Sequence, residues 1–122
     1  MKLHATGPTG LNTISGYGEG YIAVNGRRYD SNLVVLPEKL IPWAVKGYDR
    51  LSATDFEFLK NLDADIVLLG TGARQRFPHP RLTAPLAQAG VGLEVMDVQA
   101  ACRTYNILVA EERKVAAALL LE

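Results

Sequence analysis

The chain has 122 residues, 48% hydrophobic and 21% charged, with one cysteine, which suits a single domain with one core and excludes a disordered tail, a collagen-like repeat or a disulfide scaffold. Thirteen basic residues balance thirteen acidic ones, so the one-signed field that nucleic-acid binding normally uses is missing and no nucleic-acid partner is expected. No window reaches the roughly 18 apolar residues of a membrane span, and Met1-Lys2-Leu3-His4 leads into Gly7-Pro8 rather than an apolar signal core; the expectation is a cytoplasmic protein without a transmembrane segment.

The first third reads as β-structure. Ile14 to Gly20 is glycine-rich and suits a bulged, irregular edge. Tyr21-Ile22-Ala23-Val24, Asn25-Gly26 and Arg27-Arg28-Tyr29-Asp30 predict a hairpin, because a type I′ turn needs positive φ at both central residues and Asn-Gly tolerates it best. Asn32-Leu33-Val34-Val35-Leu36, ended by Pro37, predicts a strand covered on both faces. Pro37 to Tyr48, with Pro42 and Trp43, reads as a connection that docks by its aromatic rather than by regular hydrogen bonding.

From Ser52 the period changes. Ser52 and Asp55 form a capping box before Phe56, Leu59 and Leu62, predicting a helix over 53–62. Asp65 to Leu69 is the next strand, closed by Gly70-Thr71-Gly72. Leu82, Leu86 and Ala89 predict a helix over 82–89 with Gly90 as its C′ residue. Pro85 lies inside it, so this helix either starts late, near Thr83, or is short and bent. Gly92 to Met96 reads as a strand, Asp97 caps a helix over 98–110, Glu111-Glu112-Arg113 makes a charged turn, and Lys114 to Leu121 is a closing apolar strand. Glu122 receives no assignment. The alternation predicts an α/β fold over 1–122 as one domain: a mainly parallel sheet flanked by helices, with 33–36, 66–69 and 93–96 as inner strands and the N-terminal hairpin as an extra β layer.

In such sheets ligands bind beyond the carboxyl ends of the strands. The loop Gly70, Thr71, Gly72 offers backbone amides and a hydroxyl there, and Arg74, Arg76 and, from the third helix, Arg103 are candidates to contact a small anion. It is neither G-x-G-x-x-G nor a Walker loop, and the plainer reading is a tight turn. Cys102 sits at the margin of the core stripe of Val98, Ala101, Tyr105, Leu108 and Val109, which argues for an inert thiol over a nucleophile or redox sensor; His4 and His79 are not locally placed to serve as its base. Gln99, Arg103 and Asn106 form a polar stripe that faces solvent or a loop, or touches a partner. One Cys and two isolated His residues give no metal-ligand spacing, and no catalytic set or cofactor is expected.

Leu69-Gly70-Thr71-Gly72, Phe77-Pro78, Gly92 through Met96 and above all Ala100-Ala101-Cys102-Arg103-Thr104-Tyr105-Asn106, with Glu111, Arg113 and Val115 to Leu119, resemble the domain of unknown function 498. Gly16-Tyr17-Gly18, Val24-Asn25-Gly26, Tyr29, Ser31 and Pro42-Trp43 match it in the front half. That family includes bacterial and archaeal relatives of mitochondrial respiratory complex I assembly factor 3. The resemblance implies a three-layer fold around a mixed sheet whose last strand, 115–121, runs antiparallel. It also implies a non-enzymatic binding or assembly-helper module with a protein partner. The alternative reading is a small-ligand or anion-binding protein, with or without catalysis, using the Gly70-Thr71-Gly72 loop.

Overall fold

The computed structural model describes residues 10–122. The expectations placed on Met1 to Pro8, including the reading that His4 is not locally placed to serve as a base for Cys102, fall outside those residues. In chain order the elements are β1 (Ile14–Gly18), β2 (Tyr21–Val24), β3 (Arg27–Tyr29), β4 (Leu33–Leu36), β5 (Lys39–Pro42), a 3-10 turn (Tyr48–Arg50), α1 (Ala53–Lys60), β6 (Ile66–Thr71), α2 (Pro80–Gln88), β7 (Gly92–Met96), α3 (Val98–Ala110) and β8 (Val115–Leu120). They build a small antiparallel sheet in the order β1-β2-β3 and a mixed sheet in the order β5-β4-β8-β6-β7.

The local signals at the front of the chain act as expected. Asn25 and Gly26 take φ of 50° and 85°, closing the β2–β3 hairpin, and the β1–β2 register shifts between Ile14 and Gly16. Two further turns are read correctly from sequence. Asp55 accepts hydrogen bonds from the Ser52 N–H at 2.8 Å and hydroxyl at 3.1 Å at the start of α1. Gly90, at φ 72°, follows α2, and the Val91 N–H returns to the Leu86 carbonyl.

The main sheet departs from expectation in its strand order. β7 is an edge strand, whereas β8 lies in the centre, parallel to β6 and antiparallel to β4. The antiparallel half of the sheet is therefore β8–β4–β5, and the parallel half is β8–β6–β7. Burial explains the exchange: a strand covered on both faces must be apolar throughout, as Val115 to Leu120 are, whereas Glu94 in β7 needs solvent. The connection after Pro37 also contains a regular strand, since a tight turn at Pro37-Glu38 pairs Lys39 with Leu36 and Pro42 with Leu33. Pro42 fits because β5 is an edge. Trp43 is buried, as its docking role requires. Finally, α2 starts at Pro80 rather than Leu82, because proline is suited to the first helical position, and it carries Pro85 in its interior.

Side chains of the main sheet alternate between two apolar layers. Val67, Leu69, Ala116, Ala118 and Leu120 meet Phe56 and Leu59 of α1 and Leu86 of α2. Leu68, Ala117 and Leu119 meet Val98, Ala101, Cys102, Tyr105 and Val109 of α3, and this second layer continues into Ile14, Tyr17, Ile22 and Val24 of the small sheet.

The end of α3 offers a direct test of backbone strain. The Glu112 N–H bonds the Val109 carbonyl and the Arg113 N–H bonds the Leu108 carbonyl. Glu112 therefore occupies the left-handed position, at φ 61°, that glycine usually fills. Glu112→Gly should stabilise the protein by about 0.5–1 kcal/mol, the relief of left-handed strain less the added chain entropy. A higher urea midpoint at unchanged m-value is the expected result.

Candidate functional site

The parallel strands β6 and β8 end side by side, with Thr71 opposite Leu120, and the segment after β6 folds over that end. Gly70 is there for packing: a Cβ would lie 2.9 Å from Leu119 Cδ2, 3.2 Å from Val98 Cα and 3.3 Å from Ala101 Cβ, so α3 rests directly on the strand. Thr71 is fully buried. Its hydroxyl donates to the Arg74 carbonyl at 2.7 Å and accepts from the Arg76 N–H at 3.0 Å, which folds the following loop back on the strand. Gly72 turns the chain at φ 87°, and its carbonyl accepts from the Val98 N–H at 2.8 Å as α3 begins.

Arg76 completes this end of the sheet. One guanidinium nitrogen donates to the Thr71 carbonyl at 2.9 Å and to Glu122 Oε1 at 2.8 Å. The guanidinium stacks on the Tyr48 ring, 4.3 Å from its centroid, an arrangement favoured by the ring quadrupole. Glu122 Oε1 also accepts from the Tyr48 N–H at 2.7 Å, and the Glu122 backbone oxygen accepts from the Ala73 N–H at 3.2 Å. Of the residues predicted for anion contact, Gly70, Thr71, Gly72 and Arg76 thus share one loop, and Arg76 meets an anionic group. Arg74 is exposed beside them. Arg103 is held elsewhere, donating to the Tyr17 hydroxyl at 2.9 Å.

The sequence reading missed Gly47, Tyr48 and Glu122. Glu122 carried a usable signal: a carboxylate placed just after an apolar strand lies at the same sheet end as an arginine-rich loop after a parallel neighbour. Seeing it required knowing that β8 is parallel to β6.

Cys102 is fully buried, and burial pushes its thiol up to about 12, with nearby Arg103 offsetting part of the effect. The thiolate that nucleophilic chemistry needs is therefore disfavoured. His79 is engaged at the start of α2, where its Nδ1 accepts from the Arg81 N–H at 3.1 Å; α2 packs on the face of the main sheet opposite the Cys102 layer. The polar stripe of α3 joins the two sheets: Asn106 Oδ1 accepts from the Ile14 N–H and Asn106 Nδ2 donates to the Ile14 carbonyl, each at 2.8 Å. Gln99 of the same stripe is exposed.

A groove of about 590 Å³ lies at the other end of β6 and β8, floored by Leu36, Leu62 and Val109. Its rim mixes Glu38, Asp63 and Glu112 with Lys39, Arg113 and Lys114, so no single charge is selected. Among the described residues no group of three or more His, Cys, Asp or Glu side chains is arranged to hold a metal, and no helix is long and apolar enough to cross a membrane.

Comparison with known proteins places this architecture. NADH dehydrogenase [ubiquinone] 1 alpha subcomplex assembly factor 3 of Bos taurus is 32% identical over 109 residues, 88% of this chain and 59% of that protein. The chain thus spans about three-fifths of the length of this relative. An uncharacterized protein of Rhodobacter capsulatus is 35% identical over 122 residues, 98% of this chain and 93% of its own. The crystal structure of a Bordetella parapertussis protein superposes with a TM-score of 0.88 at 42% identity, covering 93% of this chain and 98% of that one. The family model described as protein of unknown function (DUF498/DUF598) matches residues 14–120. With both sheets and all three helices inside that match, the chain belongs to the DUF498/DUF598 family.

Proposed function

We propose that this chain is a non-enzymatic, cytoplasmic protein-binding module that helps assemble a multi-subunit respiratory enzyme. One observation carries the reading: 32% identity to assembly factor 3 extends over 88% of this chain. Such a module acts by presenting a surface, and its exposed apolar side chains include Phe77, in the loop between β6 and α2, and Ile107 on α3. Large side chains left in water are where protein contacts gain most from desolvation.

The reading is tested by affinity capture of the tagged, full-length protein from its own cells, followed by mass spectrometry. Enrichment of subunits of a respiratory NADH dehydrogenase, or of their other assembly helpers, over a tag-only control is the expected result. Phe77→Ser should weaken that enrichment without changing the melting temperature by more than about 1–2 °C, since surface substitutions contribute little to stability. Capture of no such subunit by a correctly folded protein would overturn the assembly role.

A further inference from the structure

We propose that the end of β6 and β8 is a carboxylate-binding cradle, occupied in this chain by its own Glu122 and open to an external carboxylate that displaces it. The site is built from two separate stretches of chain, 47–48 and 71–76. Arg76 supplies a guanidinium that donates to the Thr71 carbonyl at 2.9 Å and lies over the Tyr48 ring, 4.3 Å from its centroid. Tyr48 supplies a backbone N–H that converges with Arg76 on the same oxygen, at 2.7 and 2.8 Å. An oxygen taking charge-assisted bonds from two fixed donors is the recognition pattern of a carboxylate.

Two buried glycines leave the room. Gly47 has an extended backbone at φ 167°, which any residue adopts, so its lack of a side chain serves space rather than conformation. A Cβ there would stand 3.0 Å from Glu122 Oε2. A Cβ at Gly72 would stand 2.7 Å from the Glu122 backbone oxygen and 3.2 Å from its Cγ. The guanidinium also keeps an unused donor: Arg76 Nε is buried with no hydrogen-bond partner among the described residues.

The present occupant is weakly held. The Glu122 side chain is 43% exposed and that of Arg76 is 25% exposed, so the pair is screened by water and one flexible side chain is easily exchanged for another carboxylate. The cradle lies at the carboxyl ends of the parallel strands, the end where open α/β sheets bind ligands. Its ligand class is a planar carboxylate, carried either by a free small acid or by an Asp or Glu side chain of a docked protein. This inference does not depend on the assembly role.

The test follows backbone amide shifts by NMR during titration with sodium acetate, against sodium chloride at equal ionic strength. In Glu122→Ala, acetate should produce a saturable shift of the Tyr48 amide. In the unaltered protein the apparent affinity should be about five- to tenfold weaker, because Glu122 competes in cis. Gly47→Ala combined with Glu122→Ala sets a methyl about 3.0 Å from the Oε2 position and should weaken acetate binding severalfold while retaining both Arg76 and the folded spectrum. Arg76→Gln combined with Glu122→Ala should abolish the shift. Equal responses to acetate and chloride, or acetate binding unchanged by Arg76→Gln, would overturn the cradle. A blocked five-residue peptide with a central Glu, compared with its Gln counterpart, identifies the source: tighter binding than acetate assigns the cradle to a protein side chain, and equal binding assigns it to a small acid.

Discussion

Replacing Asn106 by Leu should lower the stability of the protein by about 2–5 kcal/mol, because two buried backbone groups lose a matched partner at once. The Asn106 carboxamide pairs with both the N–H and the carbonyl of Ile14, which is fully buried. A leucine fills similar space but leaves both groups of β1 facing apolar surface. For a domain whose total stability is about 5–15 kcal/mol, this is a large share. Asn106→Asp keeps the acceptor but sets a carboxylate oxygen against the Ile14 carbonyl, so it should not restore the stability. Urea unfolding gives the magnitude, and hydrogen exchange gives the location: protection should fall first at Ile14 and its neighbours in the small sheet, while β6 and β8 keep theirs. Uniform loss across both sheets would show that the α3–β1 bonds do not hold the layers together independently.

Alkaline pH should destabilise the protein beginning near pH 9, and Cys102 should account for much of the loss. Burial raises the thiol from 9.0 to about 12 and also raises the Tyr105 phenol above its ordinary value. The native state therefore holds protons that the unfolded state releases. Stability from this source is fully present below pH 9 and declines as pH rises from there through 12. For the thiol the expected loss is about 3 kcal/mol by pH 11. Cys102→Ala should cost on the order of 1 kcal/mol at neutral pH and flatten the decline between pH 9 and 11. Native thiol labelling at pH 7 should be slow and become fast in denaturant; fast native labelling, or a pH profile unchanged by the substitution, would contradict the inert, core-packed thiol. Tyr105 titrates on the same side but also donates to the Asn12 carbonyl at 2.9 Å, so Tyr105→Phe mixes a lost hydrogen bond with a removed proton.

The elements that were legible in the sequence are those whose cause is local. Asn25-Gly26 closes its hairpin through two backbone angles, Asp97 caps α3 by accepting from the Ala100 N–H at 2.9 Å, and Gly90 ends α2. None of these depends on a distant residue. Strand order does. Gly92 to Met96 and Val115 to Leu120 are both short apolar runs, and only Glu94 separates an edge from a centre. The strand at Lys39–Pro42 was hidden for a similar reason, since two prolines suggest a loop until an edge position makes them harmless. At the candidate site, Gly70, Thr71, Gly72 and Arg76 could be found because they are consecutive or nearly so. Gly47, Tyr48 and Glu122 could not, because they meet Arg76 only after β8 has been placed beside β6. Arg103 was grouped with that loop by its charge, and the Tyr17 hydroxyl holds it against β1 instead.

The position of β8 also shapes how the protein emerges during synthesis. Its two neighbours, β4 and β6, are made long before it, yet neither can pair with the other, because the slot between them belongs to residues 115–120. Until that segment leaves the ribosome, the nascent chain carries two unfinished half-sheets, each with an apolar strand facing a gap. Such edges recruit foreign strands, and long-range pairing of this kind closes slowly. Ribosome stalling before residue 115 should therefore yield a chaperone-bound chain, with protease resistance arriving in one step once β8 is free.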